Sequence, residues 1–478
     1  MHEETKEITS LISKAARLAR QESSHEPEPG LTKPIEWPVN CLVGPGLEGA
    51  IACESKIGYV NGSKGWLIYR GYDIFDLCAH SNFEEVSYLL LYGHLPSVTQ
   101  FNGFKDKLIK YRNIPSTIRL IVNFPVEEMN AMAALRFGVN LMRQECTSVD
   151  RDSYKTDATI ISADEDSIAM ETRPKGEKHA IYEFERIVRK KAKDVSDGLH
   201  PAAGYESSWH LISGVVSVAG AIARLRQGNL PIDPDLNLSH AANLIYMITG
   251  NRPNKIEERI MDTVLILHAD HGINASTFAT LVVCSTLSDM YFAVGSGIAA
   301  LNGPLHGGAN EQVLHMLKEI GGPKNVSSWY AKARSKKKKI MGFGHRVYKA
   351  YDPRARILGP LAEYLVNTKG DSDMKKLLAT AQSLEKEVIT TLGVEKKIFP
   401  NVDFYSGIVY SCLGIPVDLF TSIFAVSRVV GWTARAMEYL ENNRIFRPRA
   451  MYTGPFNKKY RSLDQRSGKA GKSKVKKK

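Results

Sequence analysis

Cysteine is scarce in this 478-residue chain, and its placement excludes more than its number does. The six cysteines (Cys41, Cys53, Cys78, Cys146, Cys284, Cys412) include no C-x-x-C pair. Such scatter argues against a disulfide framework or a zinc ribbon and for a reducing compartment. No uncharged stretch reads as both long and apolar enough to span a bilayer; 272–288 is diluted by Asn, Ser and Thr. The first twenty residues lack the apolar core of a secretory signal. Lys6, Lys14, Arg17 and Arg20 suit a transit peptide, but Glu3, Glu4 and Glu7 run against it, because such peptides are poor in acids. The cytoplasm is therefore expected ahead of a mitochondrial matrix. There is no Walker A sequence. Gly44-Pro45-Gly46-Leu47-Glu48-Gly49 matches G-x-G-x-x-G but joins no apolar strand to a helix, so it is not read as a dinucleotide site.

What is present is globular. With 24% charged residues, 37 Gly and 21 Pro, the chain is neither collagenous nor disordered as a whole. Its length admits roughly three domains, or one large domain with a smaller one. The net charge of +12 is unevenly placed. Residues 458–478 hold ten Lys or Arg and one acid, Asp464, a local excess of nine that leaves three for the rest. The body is nearly balanced and the basic character is a tail. Only Tyr460 interleaves those lysines, so any nucleic-acid binding there would be non-specific.

Residues 1–35 read as an extension: a weakly amphipathic helix (Leu11, Ile12, Ala15, Leu18) running into the Glu26-Pro27-Glu28-Pro29-Gly30 linker. Ile57-Gly58-Tyr59-Val60, an Asn61-Gly62 turn and Trp66-Leu67-Ile68-Tyr69 predict a small hairpin. Helical periodicity follows, with Phe83, Val86, Leu89 and Leu90 in phase and Gly93 at the C-terminal cap. The stretch 146–180 is polar and aperiodic, a surface insertion. Helices are expected at 239–249, from about 254 with Ile256, Ile260, Val264 and Leu267 on one face, and at 276–291, 309–320, 355–368, 375–392 and 417–442. The fold class is mainly α.

Four motifs carry chemistry, each beside a plainer reading. His268-Ala269-Asp270-His271 would place two histidines three apart on one helix face; without a third ligand the plainer reading is one buried and one surface His. Gly303-Pro304-Leu305-His306-Gly307-Gly308 sets a His near a helix N-terminus, where the dipole favours a neutral ring that donates to an oxyanion; the alternative is a capping-region His. Gly342-Phe343-Gly344-His345 follows Lys336–Lys339, and Arg354 stands nine residues past His345 in an Asp-Pro-Arg helix start suited to clamping a carboxylate. The lysines could meet phosphates or form a solvated face. Asp403, in an apolar neighbourhood, would have its pKa raised by burial and serve as a base, or would simply cap a helix.

Together these motifs resemble the citrate synthase family. The matching stretches are GYVNGSKGWLIYRGYDI (58–74), LSHAANLIYMITG (238–250), LHADHGINAS (267–276), GPLHGGAN (303–310), GFGHRVYKAYDPRA (342–355), NVDFYSGIVY (401–410) and GWTARAMEYLENNRIFRPRAMYTG (431–454). The resemblance covers roughly residues 40–456. It implies a two-domain helical fold, with a large domain at 36–308 and 414–457 and a small domain at 309–413 that closes over the site. It implies a homodimer with shared sites, open to higher assembly, and no membrane or specific nucleic-acid partner. It implies citrate (Si)-synthase activity on acetyl-CoA and oxaloacetate, with no metal and no cofactor. Asp403 would be the base, His306 the donor to the enol of acetyl-CoA, and His345 the acid at the ketone. His271, Arg354, Arg428 and a partner-supplied Arg447 would hold oxaloacetate, while Lys339 and Lys349 fall where coenzyme A phosphates are expected. Two features depart from the family pattern: the 146–180 insertion, and a segment at 127–138 that keeps Leu135-Arg136 but lacks the His-Pro ahead of it. A 2-methylcitrate synthase using propionyl-CoA is the near alternative, since one methylene is worth only about 1–3 kcal/mol in an apolar pocket. A non-catalytic or nucleic-acid-binding protein built on the tail is the remote one.

Overall fold

The computed structural model describes residues 3–22, 37, 39–143, 203–463 and 466. The linker read at 26–30, the insertion at 146–180 and the tail beyond 466 lie outside the described residues. Helices dominate, and one three-stranded sheet is present among the described residues. Gly58–Asn61 pairs antiparallel with Trp66–Tyr69, and the turn is closed by Asn61, whose side chain accepts from the Lys64 amide at 3.1 Å. A third strand, Tyr72–Asp73, extends the hairpin.

Helix ends fall where polar caps and glycines stand. Asn82 accepts from the Glu85 amide at the start of Phe83–Tyr92, and Gly93 ends it at φ +87°. Ser239 and Gly250 bound His240–Thr249 in the same way. Asn254 and Glu257 form a reciprocal capping box at the head of Lys255–His268. Other expectations change in detail. The helix expected at 276–291 is two: Ala275–Ser285, then Met290–Leu301 capped by Asp289, with Leu287 at φ +64° between them. Asp289 interrupts the apolar period because it serves as a cap. Ser372–Val388 runs on into a wider π turn at Ile389–Gly393.

The core forms around Phe420–Leu440, which is buried along almost its whole length. It packs against Ala203–Arg226, Phe83–Tyr92, Ala275–Ser285, Met290–Leu301 and Lys255–His268. Each fully buried Leu, Ile or Phe contributes about 1.5–3 kcal/mol. Gly431 permits the closest approach: a Cβ there would lie 2.2 Å from the Ala269 carbonyl oxygen. Gly204–Arg226 and Val417–Leu440 are long and apolar enough to cross a membrane, which the reading of uncharged runs did not register. With 89% of each apolar window buried inside the fold, they serve here as core helices.

The N-terminal helix, Lys6–Glu22, is built into the fold. It buries Ile8, Ile12, Ala15 and Ala16, whereas Leu18, expected on the apolar face, is exposed. It packs on both Ile74–His80 and Pro353–Lys369. Arg20 pairs with Asp76, and Glu22 with Arg356. Helices Ala309–Ile320, Pro353–Lys369, Ser372–Val388 and Asp403–Cys412 pack upon one another.

Candidate active site

His306 lies in the turn between Met290–Leu301 and Ala309–Ile320, held by its own amide donating to the Gly303 carbonyl at 2.9 Å. The expected helix N-terminus is present, but it belongs to another helix. His306 Nε2 accepts from the backbone N–H of Ser276 at 3.2 Å and lies 2.9 Å from the Ser276 hydroxyl, in the first turn of Ala275–Ser285. Burial and the nearby charge of Arg428 push its pKa down to about 4. A backbone N–H can only donate, so Nε2 carries the lone pair and Nδ1 the proton. His306 is a neutral donor through Nδ1.

His345 has the opposite tautomer for the same reason. Its Nδ1 accepts from the amides of Val347 and Tyr348, at 3.0 and 3.1 Å, which leaves the proton on Nε2. Burial and Arg354 lower its pKa to about 4. The ring lies 5.1 Å from that of His271 and 4.9 Å from that of Tyr348, centroid to centroid. His271 Nε2 is 3.2 Å from the Tyr348 hydroxyl. The shared helix face expected for His268 and His271 is not found. The helix ends at His268, whose ring is buried against Phe424 with Nδ1 2.8 Å from the Val264 carbonyl; His271 follows in the loop and is also buried. Asp270, buried and paired bidentately with Arg435, ends the helical run: its amide and carbonyl both meet the Tyr69 hydroxyl.

Arg354 is buried at the start of Pro353–Lys369, held by Asp352 through contacts of 3.0 and 2.7 Å. Arg428 is buried within the core helix. Its Nε donates to the His268 carbonyl at 2.5 Å, its Nη2 has no partner among the described residues, and burial lowers its pKa to about 10. A buried guanidinium with an unmet donor suits an anionic ligand.

Asp403 opens the helix Asp403–Cys412, but it is not the cap. Val402 precedes it without a side-chain cap, and Asn401, one residue earlier, accepts from the Asp403 amide through Oδ1 at 3.0 Å. Asp403 Oδ1 is buried without a hydrogen-bond partner among the described residues, and burial raises its pKa to about 7 although Arg354, Arg428 and Lys339 pull it down. Asn401 does a second job. Its Nδ2 donates to the Gly344 carbonyl at 2.9 Å, while its amide donates to the Gly342 carbonyl at 2.9 Å. One side chain thus ties the His345 loop to the Asp403 helix. Gly342, at φ +77°, permits this approach, since a Cβ there would come within 2.8 Å of Phe404.

The structure therefore brings His271, His306, His345, Arg354, Arg428 and Asp403 into one electrostatic neighbourhood. Lys339 is exposed and acts on Asp403; Lys349 is exposed and acts on His345. Arg447 is exposed, and no contact joins it to this cluster among the described residues of its own chain. Sequence reasoning missed Ser276, Tyr348, Asp352, Asn401 and the Asp270–Arg435 pair. All but Arg435 adjoin or interrupt a motif already singled out, as small polar or aromatic neighbours.

These features set two neutral histidine donors and one buried carboxyl group in one neighbourhood with buried arginines. Residues 46–449 match the family described as "Citrate synthase, C-terminal domain". The citrate synthase of Haloferax volcanii is 38% identical over 423 residues, 88% of this chain and 98% of that protein. Citrate synthase 2 of Bacillus subtilis is 38% identical over 423 residues, covering 88% and 99%. Among solved structures, the citrate synthase of Pyrobaculum aerophilum superposes with a TM-score of 0.73 at 38% identity, covering 91% of this chain and all of that one. That of Thermoplasma acidophilum, a ternary complex with carboxymethyl coenzyme A and oxaloacetate, does so at 0.73 and 32% identity, covering 89% and 100%. The chain belongs to the citrate synthase family.

Proposed function

We propose that the chain condenses acetyl-CoA with oxaloacetate and water to give citrate and free coenzyme A. One observation carries the mechanism: His306 and His345 present opposite neutral tautomers in the neighbourhood of a buried Asp403 oxygen that no other group among the described residues satisfies. A carboxylate of pKa near 7 cannot by itself remove a proton from a thioester methyl group. The removal becomes feasible when the developing enol oxygen meets a fixed donor, which His306 Nδ1–H supplies. The nucleophilic carbon then attacks the ketone of oxaloacetate, polarised by His345 Nε2–H. Arg354, Arg428 and His271 hold the carboxylates of oxaloacetate. Water cleaves the citryl thioester and releases the thiol. Acetyl-CoA is a substrate, and this sequence of steps calls on no cofactor.

The Thermoplasma relative, which holds oxaloacetate and a coenzyme A derivative together, supports a site that takes both substrates at once. Relatives named citrate synthase at 34–38% identity favour acetyl-CoA over propionyl-CoA. A homodimer is supported by exposed Leu120, Val122, Phe124 and Phe292, large apolar side chains on or beside two helices that both pack against Ala203–Arg226. We place the closing domain at 309–413, and the free state of the five described cysteines fits a cytoplasmic location. The test is thiol release with oxaloacetate and either acetyl-CoA or propionyl-CoA. Turnover with acetyl-CoA at the higher kcat/KM supports this reading, and a preference for propionyl-CoA replaces it.

A further inference from the structure

Two tyrosines flank the catalytic segments, one on each. Tyr351 precedes Asp352, the carboxylate that holds Arg354. Tyr405 follows Asp403 by two residues on the same helix and is buried. Both hydroxyls donate to a single carboxylate, that of Glu385: Tyr351 to Oε1 and Tyr405 to Oε2. Glu385 stands in the last turn of Ser372–Val388, 34 residues from one tyrosine and 20 from the other, so no local turn imposes the contact.

The rings are fixed by packing. The Tyr405 ring edge lies 3.3 Å from where a Cβ on Gly359 would sit, so it rests on the backbone of the helix that Arg354 begins. The Arg356 guanidinium lies 4.4 Å from the Tyr351 ring centroid. Glu385 itself is not wedged. It lines a cavity of about 400 Å³ whose wall includes Leu11, Lys14, Ala355 and Gln382. Packing leaves the carboxylate free on that side, and the two hydroxyls hold it.

We propose that Glu385 is a positioning residue for the condensation: its carboxylate joins the Arg354 segment to the Asp403 helix and sets the distance between the clamp on oxaloacetate and the base. This rests on the citrate synthase reading above. Bond formation needs the reacting carbons within about 3–3.5 Å, and a misplacement of about 1 Å costs on the order of 100-fold in rate. A carboxyl group offers each tyrosine its own accepting oxygen, so both bonds form at once. An amide in its place keeps one accepting oxygen and offers the second tyrosine only a donor.

The experiment compares Glu385→Ala, Glu385→Gln, Tyr351→Phe and Tyr405→Phe with the wild type in steady-state kinetics, calorimetric titration with oxaloacetate and thermal melting. Glu385→Ala is expected to lower kcat roughly 10- to 100-fold, with Glu385→Gln intermediate. Oxaloacetate affinity should stay within about twofold, and kcat should not track the thermal midpoint. Adding Tyr405→Phe to Glu385→Ala should cost nothing further, because the bridge is already broken. Should Glu385→Ala fail to fold, the two Phe variants, each lacking one hydroxyl, decide the matter. Wild-type kcat in Tyr405→Phe and Glu385→Gln, beside a lowered midpoint or none, would make Glu385 a stability brace and overturn the proposal. An inactive wild type in the same assay would bring down the citrate synthase reading together with it.

Discussion

Ser276 aims its backbone N–H at Nε2 of His306 across 3.2 Å, and this bond decides which nitrogen of the ring carries the proton. His345 receives two backbone amides on its other nitrogen, Nδ1. Both donors are thus set by main chain, which no titration in the working range can reverse. With pKa values near 4, both rings stay neutral from pH 5 upward. Nitrogen-15 NMR of labelled histidine should show His306 protonated at Nδ1 and His345 at Nε2, unchanged between about pH 5.5 and 8. An imidazolium signal for either residue at pH 6 would sink the assignment.

Asp403→Asn should reduce turnover by about 10²- to 10⁴-fold, the usual worth of a positioned base. Oxaloacetate binding should survive, since the base acts on the thioester alone. The wild-type rate should rise with pH through about 7 as Asp403 ionises. The sign for stability is the reverse. A carboxyl whose folded pKa lies above its unfolded value favours the fold when protonated and disfavours it when ionised. At pH 8 the Asn variant should therefore melt no lower than the wild type. A lower midpoint with lost oxaloacetate binding would mean that Asp403 is structural.

Acid should destabilise the fold well before ordinary carboxylates protonate. Six buried or part-buried histidines have lowered pKa values: His210 about 4, His240 about 3, His268 about 3, His306 and His345 about 4, and His271 well below its usual range, each chiefly through burial. A histidine whose folded pKa is depressed binds its proton more readily when unfolded. Its contribution is complete above the unfolded value of about 6.5 and is lost as pH falls toward the folded one. Asp403, Asp262 and Glu311, all raised chiefly by burial, act in the opposite direction over the same range. Six outweigh three, so the thermal midpoint should fall steadily from about pH 6.5 to pH 4. A flat profile over that interval would contradict the burial of these rings.

The elements legible in the sequence were those with local signals. Asn82 and Gly93, Ser239 and Gly250, and Asn254 with Glu257 mark helix ends because the cap chemistry is local. The site motifs were legible for the same reason: glycines and prolines beside His306 and His345 announce irregular backbone. What stayed hidden depends on tertiary contact. His271 lies off the helix because Asp270 pairs with Arg435, 165 residues away. The helix end that fixes the His306 tautomer is that of Ser276, 30 residues earlier, and not the helix that follows the motif. Asp403 reads as a cap until it is seen as the first residue of the helix, with Asn401 accepting from its amide and gripping Gly344 as well.

The C-terminal segment should be dispensable for catalysis. Residues 456–461 are exposed, and the contacts there are local, such as the Tyr452 and Phe456 rings at 4.9 Å. Truncation after Pro455 should leave kcat and the thermal midpoint unchanged while lowering retention on DNA at low salt, since most of the net charge goes with it. A fall in midpoint of several degrees would show that the segment is part of the fold.

Arg447 should act in the site of the partner subunit. Within its own chain Arg447 is exposed, and no contact joins it to the cluster among the described residues. Its neighbour Phe446 is held by its amide donating to the Ser285 hydroxyl at 3.2 Å and by ring stacking on Tyr439 at 4.9 Å, and Asn443 donates to the Ser285 carbonyl. Ser285 ends the helix Ala275–Ser285, and the Phe446 ring also packs against Phe278 of that helix, centroids 5.3 Å apart. A two-fold dimer would bring the same arginine to the other copy's site and give two composite sites. Arg447→Ala and His345→Ala should each be inactive alone. After reversible dissociation and mixing, one site of each heterodimer receives both defects and the other neither, so activity should return to at most half that of the wild type per heterodimer. Well-folded mixed dimers that regain no activity would place Arg447 outside the partner's site.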